Sequence, residues 1–511
     1  MSKFNKDVLF LIFEELNYDK NSLYSCLLVN RTWCETMVPI LWRNPSQHLT
    51  TIDSANNLKD KILNVILSHL SKESRENLKN QGIDIFTEEY RRPLFNYINF
   101  WKYLDFIFLE KVILSKNIKN FEESKISILR KEILKLFVDK NRNTKFIQLI
   151  TTDNPDYQLF NISGAEHYFS ELETLSIHSY FGNCRNFLKG LTKVCKSIKN
   201  FRFNDVYYFI NNSGLSEFIQ EQKNLSDVAF VSDENYVYHN SVEPFYKSLE
   251  VSLIKHANTI QHLRIEWIPF TGVLSCLVNL VKLKISTRIP YFRNLNEVEY
   301  LKNSPLPNLK ILKTFNIPID ILDYLTKNTN EQLIKISVHY SSIGSKSFIQ
   351  VIYRNCPNLK YLKLSLSRNA NSLIPEFENL LVNCQRLSKL ILKLENIFSW
   401  DSVLLTLAKS SPNSLVTFEF HSNNNIIKLG AMRLFFDNWK NRNPMSLEVC
   451  SARYDTNDFE KTKLENLIRE YKVKGIIKKS SVHSGNLALS SSARSENCIK
   501  YSYIPSKHYY H

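Results

Sequence analysis

The chain has 511 residues, 43% apolar and 12% aromatic, which is enough to bury a large core and argues against disorder over most of its length. Only 10 glycines occur, which disfavours a glycine-rich phosphate-binding fold. The net charge of +16 invites a nucleic-acid reading, but the excess is lysine-heavy and diffuse: residues 1–45 carry five bases and five acids, and only 472–511 concentrate charge, with seven bases and one acid.

In chain order, Val8, Leu9, Ile12, Phe13 and Leu16 fall at helical spacing and form one apolar stripe. Asn5 is placed to cap that helix, and Asp7 sits in its first turn, where the helix dipole favours an acid. A polar break from Asn17 to Ser22 precedes a second apolar run from Leu23 through Cys26, Leu27, Leu28 and Val29. A third short helix is expected to run to Met37, followed by Pro39-Ile-Leu-Trp-Arg43. Three short helices make a very small core, and a unit of that size rarely stands without a staple or a partner. The apolar content exceeds what such a bundle can hide, so part of its surface is expected to meet another protein.

These residues resemble the F-box family. The match comprises Val8-Leu9, Ile12-Phe13, Ser22-Leu23-Tyr-Ser-Cys26-Leu27-Leu28-Val29-Asn30-Arg31-Thr32-Trp33 and Leu41-Trp42-Arg43; the second half is nearly unbroken. Asn5 stands where the family has a proline that belongs to the adaptor contact. The resemblance implies docking on the SKP adaptor of a cullin-RING ubiquitin ligase. Asn5, Val8, Leu9, Ile12, Phe13, Leu27 and Leu28 would face the adaptor or support that face, and Trp33, Leu41 and Trp42 would belong to the core.

Residues 46–145 read as a helical spacer, with Leu58, Ile62, Val65, Ile66 and Leu70, and then Ile126, Leu129, Ile133, Leu134 and Phe137, at helical spacing. From residue 146 to 474 one pattern recurs, an apolar residue followed by others three and five positions on. It begins at Leu172, Ile198, Leu225, Ile260, Leu280, Leu309 (a degraded copy), Leu333, Leu359, Leu387 and Leu415, at separations of 20 to 35 residues. Alternation inside each unit predicts a short strand, and helical segments lie between, among them 319–326, 347–354 and 403–408. A strand and a helix per unit resembles the leucine-rich repeat, in which units stack because none buries its apolar face alone. Cys195, Cys356 and Cys384 each stand three residues before a strand's first apolar position, which favours a packing role and resembles the cysteine-containing repeat class often found behind an F-box. The expected fold class is therefore α/β: a three-helix F-box (1–45), a helical spacer (46–145), a leucine-rich-repeat solenoid (146–474) and a disordered, basic, serine-rich tail (475–511).

The residues between the apolar ones point out of the concave face. The middle column reads Ser176, Arg202, Ala229, Arg264, Lys284, Lys313, Ser337, Lys363, Ile391, Glu419, flanked by Lys282, Lys335, Lys389 and Lys393. Two readings stand: a surface for an acidic or phosphorylated target, with Arg202, Arg264, Lys284, Lys313 and Lys363 at its centre, or a solvated face in a lysine-rich protein.

Nine cysteines without a CxxC pair indicate neither a zinc site nor a disulfide framework, and no cofactor is expected. Free thiols and the lack of a secretory pattern point to a cytoplasmic or nuclear protein. The most apolar stretch, 94–114, contains Lys102, Asp105, Glu110 and Lys111, too many charges for a membrane span. No nucleophile, phosphate-loop or zincin motif is present, and Gly344-Ser-Lys-Ser lacks the earlier glycine of a phosphate loop. The resemblance implies a non-catalytic substrate receptor that joins the adaptor and cullin ligase to a protein target. The alternatives are a non-ligase repeat scaffold and a nucleic-acid-binding repeat protein.

Overall fold

The computed structural model describes residues 5–16, 19–48, 55–86, 93–114, 118, 120–138, 145–152, 154–157, 164–178, 185–204, 214–231, 243–287, 299–339, 346–366, 370–394, 400–422, 427–451 and 458–484. Cys184, Cys498, Gly344 and residues 485–511 of the expected tail lie outside them. The chain divides into two compact units, Met1–Leu277 and Val278–His511.

The first unit opens with three helices, α1 (Lys6–Glu15), α2 (Lys20–Cys26) and α3 (Arg31–Trp42). Each starts at a short polar residue whose side chain accepts a backbone N–H: Asn5 from Asp7 at 3.4 Å, Asp19 from Ser22 at 3.3 Å and Asn30 from Trp33 at 3.0 Å. Leu9, Phe13, Leu23, Met37, Ile40 and Leu41 form the core, with Leu16, Cys26, Leu27, Trp33 and Trp42 partly buried against it. The third helix does not end at Met37 as expected but continues through Pro39 to Trp42. An interior proline costs about 3 kcal/mol, and burial of Ile40 and Leu41 beyond it offsets that.

The segment expected to be a helical spacer is mostly that, with helices Ala55–Ser68, Lys72–Asn80, Phe106–Ile113 and Glu123–Lys135. It also holds the first strand, β1 (Tyr103–Asp105), which pairs in parallel with β2 (Gln148–Thr152). The sheet therefore begins some forty residues before the expected boundary at 146. Arg130, almost wholly buried, ties this region together through Glu110 at 2.6 Å, Glu123 at 2.5 Å and Asp156 at 3.2 Å.

The sheet of the first unit continues with β3 (Thr174–His178), β4 (Asn200–Asn204), β5 (Asp227–Val231) and β6 (His262–Ile265), each parallel to the one before. The second unit carries β7 (Lys282–Ser286), β8 (Ile311–Phe315), β9 (Lys335–His339), β10 (Tyr361–Leu366), β11 (Lys389–Leu394), β12 (Thr417–Ser422), β13 (Met445–Ser451) and β14 (Ile477–Ser484), again all parallel and in chain order. Helices such as Ile319–Lys327, Lys346–Asn355 and Trp400–Ser410 connect the strands. This is the α/β leucine-rich-repeat arrangement expected. The tail assignment from 475 changes, because 477–484 is the last strand.

Register keeps the pattern's apolar positions in rows. Leu283, Leu312, Ile336, Leu362, Leu390, Phe418 and Leu447 are consecutive partners, and all are buried. A backbone device repeats with them. At the foot of most strands one carbonyl accepts two successive N–H groups from the next unit: Ile147 from Glu173 (3.0 Å) and Thr174 (3.1 Å), Lys199 from Ser226 (2.9 Å) and Asp227 (3.1 Å), Lys360 from Ser388 (2.9 Å) and Lys389 (3.0 Å). The carbonyl of Arg43, just past α3, does the same for Lys102 (3.0 Å) and Tyr103 (3.2 Å) at the start of β1. The helical bundle thus occupies the place of a repeat. Trp42 packs against Tyr97 at a tilt, with ring centroids 4.6 Å apart, and Arg43 pairs with Glu14 of α1 at 2.7 Å.

Buried polar groups have structural uses. Glu250, 1% exposed, accepts from the Trp267 indole at 2.8 Å, from the Phe270 and Thr271 N–H groups and from the Thr271 hydroxyl at 2.6 Å. Glu250→Ala leaves those donors buried and unpaired and is expected to cost about 3–5 kcal/mol in urea unfolding, with Glu250→Gln costing less. Asp323 has a carboxylate oxygen with no partner, and burial pushes its pKa up to about 6. That lies above the unfolded value of about 3.9, so the native state takes up a proton and stability rises as pH falls from above 6 toward 4. Asp323→Asn is therefore expected to raise the melting temperature at pH 7.5 and to change it little at pH 4.

Candidate functional site

Among the described residues, no group of histidine, cysteine and carboxylate side chains is arranged to hold a metal ion, and no helix is long and apolar enough to cross a membrane. What chemistry the surface offers lies in two places, one in each unit.

The first is the outside of the three-helix bundle. Val8, Leu11 and Ile12 are exposed on one side of α1, and Leu28, 88% exposed, and Val29 follow α2. With Phe10 and Tyr24 they make seven exposed large hydrophobics between residues 8 and 29, out of sixteen in the described chain, so the concentration is local. Of the residues expected at an adaptor face, Val8, Ile12 and Leu28 are on this surface and Leu27 is half-buried. Leu9 and Phe13 are 1% and 0% exposed: they back the surface from inside and do not belong to it. The periodicity could not separate them from Val8 and Ile12, because both pairs lie on the same broad stripe. Phe10, Leu11, Tyr24 and Val29 were not anticipated. Asn5 is exposed, and its side chain caps α1.

Of the expected core residues, Leu41 is buried, Trp33 is half-buried edge-on to Phe13 at 5.4 Å, and Trp42 reaches Tyr97 outside the bundle. Glu35 of α3 accepts from Arg31 at 2.8 Å and from Lys6 at 3.1 Å, which holds its carboxyl below the ordinary range.

The second place is the face of the β7–β11 sheet away from the apolar rows. Residues facing it sit in three registered rows. One row runs Lys282, Ile311, Lys335, Tyr361, Lys389; the next runs Lys284, Lys313, Ser337, Lys363, Ile391; the third includes His339 on β9 and pairs Ser365 with Lys393. Lys335 lies over the Tyr361 ring at 4.0 Å. Burial, with repulsion from Lys389, Lys282 and Lys363, draws the Lys335 ammonium below its ordinary pKa. Burial also lowers Lys363, against the attraction of Glu419 and with repulsion from Lys393 and Lys389. His339 falls to about 4 through burial and the nearby Lys393 and Lys363, so it is neutral at physiological pH. Glu419, buried on β12, pairs with His421 at 2.7 Å and with Lys389 at 3.4 Å, and Glu448 follows on β13.

Of the five basic residues expected at the centre of a binding face, Lys284, Lys313 and Lys363 share this region. Arg202 and Arg264 lie in the first unit and are held by their own strands, Arg202 by Asn204 at 2.9 Å and Arg264 by Glu266 at 2.8 Å. Ile391 and Glu419, read as part of the outward column, are 3% and 5% exposed, and Glu419 is held by His421 and Lys389.

The cysteines expected to pack are buried. Cys195, Cys356 and Cys384 each follow the last residue of a helix, and the Cys384 thiol points at the Cys356 carbonyl at 3.8 Å. Burial pushes the Cys195 and Cys384 thiols up to about 12. Another recurring structural position was missed: Asn308 and Asn358, just before the first leucine of a unit, donate to backbone carbonyls of the preceding unit, Val278 at 3.0 Å and Glu331 at 3.2 Å.

No protein-family model and no curated protein matches the chain. Among solved structures, 45 chains match. One is the leucine-rich repeat-containing protein LegL7 from Legionella pneumophila, 13% identical, covering 60% of this chain and 89% of its own, with a TM-score of 0.36. The repeat architecture rests on the strand register above rather than on that likeness.

The exposed side chains of the bundle are not needed for its fold. Leu11→Ser with Leu28→Ser is expected to change unfolding free energy by no more than about 0.5 kcal/mol, while binding of an apolar dye falls.

Proposed function

We propose that the chain is a non-catalytic substrate receptor: the three-helix bundle is an F-box that docks on an SKP-type adaptor of a cullin-RING ubiquitin ligase, and the repeats hold a protein target. The observation that carries this reading is the exposed apolar surface formed by Val8, Leu11, Ile12, Leu28 and Val29 on a bundle whose own core is complete. Such a surface in so small a unit is stabilised by a partner that covers it. The residues around it, from Ser22 to Trp33 and Leu41-Trp42, are those that resemble the F-box family.

The mechanism is proximity. A receptor that holds ligase and target at once makes ubiquitin transfer effectively intramolecular, and the gain falls as the connection between the two ends slackens. The Arg43 carbonyl, the Trp42–Tyr97 contact and the Arg43–Glu14 pair hold the bundle on β1. They support a stiff connection at that end.

A second reading, a repeat scaffold without ligase assembly, is favoured by Asn5. Its polar side chain hydrogen-bonds to α1 where the family has a proline at the adaptor contact.

Capture of purified SKP adaptor by the full chain separates the two. Wild type is expected to bind, and Val8→Asp with Ile12→Asp to weaken capture at least about 100-fold, because two charges would be buried unpaired in the contact. The double variant should unfold at the wild-type temperature, whereas Leu9→Asp, at a core position, should unfold the bundle. Absence of adaptor binding by the wild-type chain would leave the scaffold reading.

A further inference from the structure

Several lysines of the β7–β11 face lack an acid of their own. Lys282, Lys335, Lys363 and Lys393 make no ion pair with any described residue, and Lys389 shares Glu419 with His421. All five are half-buried, so each ammonium has lost part of its hydration without gaining a counter-ion of its own. The lysines are also ordered. In the first row they stand on every second strand, Lys282 on β7, Lys335 on β9 and Lys389 on β11, with Ile311 and Tyr361 between them. Strands lie about 4.8 Å apart, which puts successive lysines of that row roughly 10 Å apart. A peptide in the polyproline II conformation advances about 3.1 Å per residue with three residues per turn, so every third side chain points the same way and recurs at about that distance.

We propose that this face binds an extended acidic peptide in the polyproline II conformation lying across β7–β11, with a carboxylate at every third residue meeting Lys282, Lys335 and Lys389 and apolar side chains between them flanking Ile311 and Tyr361. The proposal rests on the reading of the repeats as the target-binding end and names the target's chemistry. Lys363 and Lys393, in the neighbouring rows, add positive potential along the path. Glu419 and Glu448 end it, since a further carboxylate beyond β11 would meet like charge. The same two acids, and the apolar side chains between the lysines, fit a peptide better than an unbroken phosphate backbone.

The test is fluorescence anisotropy with the full chain and three probes. The first is a labelled nonapeptide with glutamate at its first, fourth and seventh positions and serine and leucine elsewhere. The second has the same composition with the three glutamates adjacent, and the third is a thymidine tetranucleotide carrying three phosphates. The spaced peptide is expected to bind at least about tenfold more tightly than the clustered one and to weaken as salt is added. Lys282→Glu with Lys335→Glu should lower its affinity at least about tenfold, and the uncharged Lys282→Gln with Lys335→Gln should lower it less. Lys409→Glu, on the helix Trp400–Ser410, should change it less than about twofold. Equal binding of the two peptides, wild-type affinity in the Lys282/Lys335 glutamate variant, or tighter binding of the oligonucleotide would each overturn the proposal. Adaptor capture is measured on the same variants and should not change with Lys282 and Lys335. Failure of the wild-type chain to bind the spaced peptide, with capture intact, sinks this inference alone, whereas absence of capture in the wild type sinks the ligase reading alone.

Discussion

At most repeat junctions one backbone carbonyl accepts two N–H groups from the next repeat, and this is the constraint on which the rest of the stack depends. It fixes where each strand begins relative to its predecessor, and the parallel register follows from there. With register set, the apolar residues of the repeat line up in one buried set of rows, and the residues between them line up on the other face. A slip of one residue would exchange the two sets. The face in the second unit is therefore a product of the junctions as much as of the side chains on it. Asn308 and Asn358, bonding back to the preceding unit, reinforce the same join from the side chain.

The two surfaces reach their exposed state by different routes. The bundle is too small to cover its own apolar residues, so Leu11 and Leu28 stay outside while Leu9 and Phe13 fill the core. The sheet face is exposed because every strand has two sides and helices cover only one. There the residues are lysines, buried and crowded enough that Lys335 and Lys363 lose part of their affinity for a proton. Both arrangements leave free energy available to an added molecule, apolar in the first case and ionic in the second.

Much of this was legible in the sequence. The ten strands from β3 to β12 fall where the apolar spacing places them, because each keeps its buried leucine, isoleucine, valine or phenylalanine. The strands it did not reveal had lost those residues. In β2 the last apolar position is Thr151, buried as a hydroxyl. Before β13 the first is Pro444. In β14 the run Lys478-Lys479-Ser480-Ser481 carries no alternation, and β1 has only three residues within an aromatic segment that reads as helix. The Arg43 junction could not be read at all, since a carbonyl has no side-chain signature. The lysine rows were legible from alternation, but the burial of Ile391 and Glu419 was not, since alternation gives the side of the sheet a residue faces and not what lies over it.

Cys195, Cys356 and Cys384 each seal the end of a helix with a sulfur that solvent does not reach. A thiol reacts as its thiolate, so while these repeats stay closed the three sulfurs are inert. Each becomes reactive when its own unit opens. The chain thus carries chemical markers at three known heights in the stack, able to show which part loosens first and which a bound partner holds shut.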